Sequence, residues 1–187
     1  MRTLSLLFAA ITVAGLLTGC ADDPSRGYST TSVYRENLQT VAVPIWQRGN
    51  GVYRRDLEFR LTEALVKRIE LDTPYKVVDR SKADTILEGT IVQVDQRVLS
   101  FNPNRGTPRD IELRIVVDFT WTDLRSGEII VQRKNFREAG VYYPLGTPNE
   151  SFLPPPPDKL DEDFFEGSAD AINRLAERIV ENMEKPW

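Results

Sequence analysis

Between Ile111 and Trp121 the sequence keeps a period of two. Ile111, Leu113, Ile115, Val117, Phe119 and Trp121 are apolar, and Glu112, Arg114, Asp118, Thr120 and Thr122 alternate with them. Successive residues of a strand point to opposite faces, so this stretch specifies a sheet with one face covered and the other largely in water. A sheet buried between two layers of helices would read as a continuous apolar run instead. The partner strands and the cover for the apolar face must therefore come from elsewhere in the chain.

Both are legible. "DLRSGE" at 123–128, with Gly127, is a hairpin connection, after which "IIVQRKNF" returns antiparallel. Upstream, Ala83 to Phe101 is a long strand region whose alternation changes phase. Leu87, Gly89 and Ile91 share one face and Val92, Val94 and Val98 the other, which a bulge near Ile91 and Val92 reconciles. The turn-rich "NPNRGTPRD" at 102–110 joins it to the alternating strand. Leu38 to Trp46 reads as a first strand with Pro44 near its end or at an edge, and "YKVVD" as a short one. Helical spacing of Leu57, Leu61, Ala64, Leu65 and Ile69 predicts a helix over Arg54 to Glu70, with Phe59 and Val66 widening its stripe and Pro74 ending it. A second helix, from Asp161 to Glu184, presents Phe165, Ser168, Ala169, Ile172, Leu175, Ala176, Ile179 and Met183 on one side. Residues 141–157 hold six prolines and cannot keep a ladder, so they form a loop. The order of elements predicts a single α+β domain over 38–187, a two-layer sandwich. Its mixed or antiparallel sheet has about four to five strands, with two helices on one face.

Ahead of the domain, Leu4 to Leu17 is an apolar run of about 14 residues, shorter than the roughly 20 a membrane-spanning helix needs. With Arg2 in front of it and Leu17-Thr18-Gly19-Cys20 behind, residues 1–19 read as a cleaved signal peptide of lipoprotein type. The lipobox-like ending makes Cys20 the lipid attachment point, carrying acyl chains enough to hold the protein on a membrane without crossing it. Ala21 stands where an aspartate would favour inner-membrane retention, which points to the outer membrane. Residues 20–37 are polar, with Pro, Gly, Ser and Thr, and form a flexible tether.

The chain of 187 residues has no histidine and its single cysteine is the lipid site. The Ser-His-Asp and Cys-His arrangements and zinc sites of the His/Cys type are thereby removed, and the fold must be held without a disulfide. Gly49, Gly51 and Gly106 match no phosphate-binding or dinucleotide-binding loop. Asp158, Asp161, Glu162, Asp163 and Glu166 cluster without the spacing of a calcium loop, and read as a solvated helix start. Asp118 is an exposed sheet residue before it is a catalytic one. No metal, no cofactor and no enzymatic activity are expected. Without residues 1–19, which carry only Arg2, 23 bases face 28 acids, and the whole excess of −5 falls on the segment from Asp158 onward. No basic field is left to attract nucleic acid.

The order of "VAVPIW", "LEFRLTEALVKRIE", "TPYKVVDRSKADTILEGTI", "IELRIVVDFTWTDLRSGEII" and "SADAINRLAERIVENM" downstream of a lipobox resembles the LptE family of lipopolysaccharide-assembly lipoproteins. Its most specific pieces are LTEAL (Leu61 to Leu65), AD-x-x-L-x-G-x-I (Ala83, Asp84, Leu87, Gly89, Ile91), the D-x-x-x-G hairpin (Asp123, Gly127) and the late Ala-rich helix. The resemblance implies a non-enzymatic outer-membrane lipoprotein on the periplasmic face. It would partner the LptD β-barrel, support that barrel's assembly and help lipopolysaccharide reach the outer leaflet. Under that reading Arg97, Arg105, Arg109 and Arg114, around the 102–110 loop, are candidate contacts for lipopolysaccharide phosphates, since guanidinium forks suit phosphate oxygens. A solvated rim is the plain alternative. Tyr142, Tyr143 and Phe152 are candidate barrel contacts, against packing of the loop on its own domain. A lipid-anchored regulator or scaffold of envelope enzymes or of a secretion pore stays open as a second reading, and a carboxylate-based hydrolase as a third.

Overall fold

A computed structural model describes residues 32–103, 106–142 and 164–185. All the elements named below belong to the compact unit Tyr34–Trp187. They are β1 (Thr40–Ala42), β2 (Gln47–Arg48), α1 (Leu57–Asp72), β3 (Lys76–Val77), β4 (Thr85–Phe101), β5 (Pro108–Asp123), β6 (Ile129–Tyr142) and α2 (Phe164–Glu181), with a short 3-10 turn at Arg80–Lys82. Among the described residues the architecture is α+β, with one mixed sheet of six strands and two helices. Its order is β3-β1-β4-β5-β6, with β2 also on β4. The contacts of β1 and β2 are parallel, and the long meander β4-β5-β6 is antiparallel.

β5 carries out its alternation in full: Leu113, Ile115, Val117, Phe119 and Trp121 are buried, and the residues between them are half-exposed. The phase change in β4 is a bulge at Val92, between the paired residues Ile91 and Gln93, and a second bulge falls at Leu99. Below the first bulge Leu87 and Ile91 face the core; above it Val94 does. β6 runs further than expected, to Tyr142, which pairs with Ile111 before the prolines begin.

The expected first strand, Leu38 to Trp46, is two strands. β1 stops at Ala42, and after Pro44 the chain enters β2, which lies along β4 at Thr90 and Ile91. Trp46, between them, is 2% exposed and stacks on Phe119 with ring centroids 6.4 Å apart. Gly89 makes this possible, because a Cβ there would meet the Trp46 ring and the Asp118 carbonyl, each at 2.7 Å.

α1 buries Leu57, Leu61, Leu65 and Ile69. It ends at Thr73, which precedes Pro74 and so is pushed out of the helical region. Phe59, expected on the buried stripe, is 53% exposed; the stripe is narrower than the sequence suggested. α2 lies close on β6 because each contributes a glycine to the contact, Gly167 and Gly140. A Cβ on Gly140 would sit 2.7 Å from the Ala171 nitrogen, and one on Gly167 would overlap the Tyr142 ring. Two arginines tie the helices together. Arg60 donates to Ser168 Oγ at 2.6 Å and to the Phe165 carbonyl at 2.7 Å, while Arg68 pairs with Glu177. Among the described residues no helix is long and apolar enough to cross a membrane.

Candidate functional site

The residues of the family-like motifs are spent on the fold. In LTEAL, Thr62 Oγ1 accepts the Trp46 N–H at 3.0 Å and donates to the Glu58 carbonyl at 2.7 Å, joining the β1–β2 segment to α1. Asp84 Oδ2 accepts the N–H groups of Gln39 and Thr40 and the Thr40 hydroxyl, each at 3.0 Å, and so fixes the chain where it enters the sheet. The Gln39 N–H above all holds this carboxyl below its ordinary value, and Arg125 adds to the effect. Asp123 Oδ1 accepts the Arg125 and Ser126 N–H groups, and Gly127 takes a φ of +73° to close the hairpin.

What these motifs leave for function is the sheet face opposite the helices, which no described element covers. Three rows cross β4, β5 and β6 on it: Arg97, Glu112, Val141; Asp95, Arg114, Ala139; and Gln93, Val116, Arg137. Opposite charges therefore stand side by side in a chequered pattern. Of the expected cations, Arg97 is exposed and has no ion-pair partner among the described residues. Arg114 is bound to Glu112 at 2.6 Å. Arg109 is exposed where the β4–β5 register shifts, opposite Ser100 and Phe101. Arg105 lies outside the described residues, so Arg97 and Arg114 are the pair the structure brings to one face.

Tyr142 is turned inward, against the expectation of a ring facing a partner. It is 4% exposed, its hydroxyl accepts from Gln96 Nε2 at 2.8 Å, and its ring meets Phe164 edge-on. Burial pushes its hydroxyl up from the ordinary tyrosine value. The space for that ring is the missing side chain of Gly167, a pairing across 25 positions that no local pattern discloses. Tyr143, Phe152 and Cys20 lie outside the described residues, as do the acids 158–163.

The same face holds a cleft of ≈ 460 Å3 between Pro44 and Ile45 on one side and Lys134 on the other, floored by Glu88, Thr90, Asp118 and Thr120. Asp118 is already engaged there. Its Oδ1 accepts the N–H of Asn135 at 2.7 Å and holds the β6 bulge, where Asn135 has a φ of 53°. Among the described residues no group of three or more potential metal ligands occurs.

The molecule is a two-layer α+β domain whose motif residues build the scaffold and whose open sheet face is polar. The sequence model of the LptE family, described as lipopolysaccharide-assembly, matches residues 38–184, and the chain belongs to that family. Among solved structures, the hypothetical protein CT253 from Chlamydia trachomatis is similar in fold, with a TM-score of 0.50 and 11% identity over 77% of this chain and 94% of that one. The rare lipoprotein B from Shewanella oneidensis gives a TM-score of 0.43 at 18% identity, covering 78% of this chain and 93% of that one. A lipoprotein from Caulobacter crescentus gives 0.44 at 15%, covering 75% and 86%. The comparison with curated proteins gives no match.

Proposed function

We propose that this chain is a non-enzymatic lipoprotein of the outer membrane, anchored through lipid on Cys20, that partners an LptD β-barrel in lipopolysaccharide assembly. The observation that carries the reading is membership of the LptE family across residues 38–184. The geometry is compatible with it. Barrel lumens are polar, and a helix-free face with chequered charge offers polar and ionic contacts to such a wall without requiring a large apolar interface. In this reading Arg97 and Arg109, exposed and uncommitted among the described residues, meet lipopolysaccharide phosphates, while Arg114, the fourth candidate, is neutralised by Glu112 until a phosphate displaces that carboxylate. Arg105, Tyr143 and Phe152 are candidate contacts on the same terms. The test is affinity purification of the full chain from gently solubilised outer membranes, with partners identified by mass spectrometry. A stoichiometric β-barrel of the LptD type is expected. Recovery of the protein alone, or with an envelope enzyme in the barrel's place, would reject the proposal, the second outcome in favour of a regulator or scaffold.

A further inference from the structure

The two outer edges of the meander differ in how they meet solvent. Along β6 stand the bases Arg133, Lys134 and Arg137, the one acid, Glu138, being paired with Arg178, and a bulge falls at Lys134 and Asn135. Like charges and a bulge are the usual means by which an edge strand repels a copy of itself. β4 is different. β1 and β2 occupy its outer side only as far as Ile91, and from Gln93 onward no described strand pairs there. The exposed stretch bears Asp95 and Arg97, one acid and one base, equidistant from Gln96.

That spacing makes the edge complementary to itself. An antiparallel pairing of two β4 strands centred on Gln96 sets Val94 against Val98 of the second copy and Asp95 against Arg97 of the second copy, each twice by symmetry. All opposed residues keep the same parity, so the ladder hydrogen bonds can form. On the open face, the charges then continue across the junction. Reading from one β5 to the other, a row runs Glu112, Arg97, then Asp95 and Arg114 of the second copy, with alternating sign throughout. On the helix side, Val98 exchanges solvent for Val94 of the other copy. Asp95 already accepts the side-chain amide of Gln93, at 2.8 and 3.0 Å, and its carboxylate retains lone pairs for a guanidinium.

We propose that this free edge joins two copies of the chain through an isologous β4–β4 pairing over residues 94–98. β2 on Ile91 bounds the run at one end and the bulge at Leu99 at the other. So short a contact buries less than the ~1,200 Å2 at the lower end of stable interfaces. The dimer is consequently weak in dilute solution and favoured where a membrane surface concentrates the protein.

The full chain, purified in density-matched detergent, is examined by sedimentation equilibrium across a concentration series. The wild type shows a reversible monomer–dimer equilibrium. Asp95→Arg or Arg97→Asp alone places like charges opposite each other twice and raises the dissociation constant by about tenfold or more. The double exchange, Asp95→Arg with Arg97→Asp, restores it to within about threefold of wild type. Independently, Gln96→Cys faces its own copy, at the about 4.5–5.5 Å between Cβ atoms of opposed strand residues. Mild oxidation links that variant, while Lys134→Cys links no more than the unsubstituted chain. A wild type that is monomeric at every concentration, a double exchange as defective as the single reversals, or a Gln96→Cys variant no more linked than Lys134→Cys would overturn the proposal. Should the charge variants misfold, the cysteine comparison decides. None of these results depends on whether the barrel is the partner.

Discussion

Asp84 shows how one side chain can hold the start of a domain. Its carboxylate gathers three donors from Gln39 and Thr40, and the Thr40 hydroxyl accepts the Asp84 N–H at 2.8 Å in return. Asp84→Ala leaves those donors to water and costs about 1–2 kcal/mol in urea unfolding. The cost depends on pH in a defined sense. The folded-state carboxyl is held below its ordinary value of 3.8, so its stabilisation is fully present above that value and is lost as the pH falls through the lowered one. The difference between wild type and Asp84→Ala is thus constant near neutrality and narrows below about pH 3.8. Gly89 acts through absence. A methyl group there must displace either the Trp46 indole or the backbone of β5. Gly89→Ala is expected to cost about 1–3 kcal/mol by denaturant titration and to perturb Trp46 fluorescence, because overpacking in a filled site is relieved only by moving one neighbour.

At the scale of elements, the first turn of α2 is held by α1. Arg60 forks onto Ser168 Oγ and the Phe165 carbonyl and lies over the Phe165 ring, 4.0 Å from its centroid; Arg54 lies over Phe164 at 3.5 Å. Lysine supplies neither the planar fork nor the stacking, so Arg60→Lys is a disruptive change here. It should speed amide exchange through residues 165–170 by about tenfold while leaving β5 protected, since loss of the clamp opens the helix end before the sheet. The meander and both helices were legible because their burial repeats within one segment: β5 by twos, α1 and α2 by threes and fours. The bulge at Val92 was legible for the same reason, as a change of phase. The separation of β1 from β2 was not, since it depends on Trp46 reaching Gly89 and Thr62, residues far apart in sequence. The inward turn of Tyr142 and the outward turn of Phe59 were hidden likewise, each being decided by what the opposing element leaves open. For the candidate site, the sequence gathered four arginines around one loop. Only the sheet register separates Arg97 from Arg114, which Glu112 holds.

As a whole molecule, the domain divides its labour between two faces. The helix layer encloses the core and carries its own ion pairs, Arg68 with Glu177 and Arg178 with Glu138, across its contacts. The opposite face carries charge that is arranged and largely accessible, and it is the face proposed to meet a partner. The most direct measurement is site-specific photocrosslinking in intact cells, with the probe placed singly at Thr120, Gln132 or Arg137 on the open face, or at Lys67 or Asp170 on the helix layer. Adducts with an outer-membrane β-barrel are expected from the open-face positions and none from the helix layer. Barrel adducts from the helix layer alone, or none from any position, would contradict the proposal.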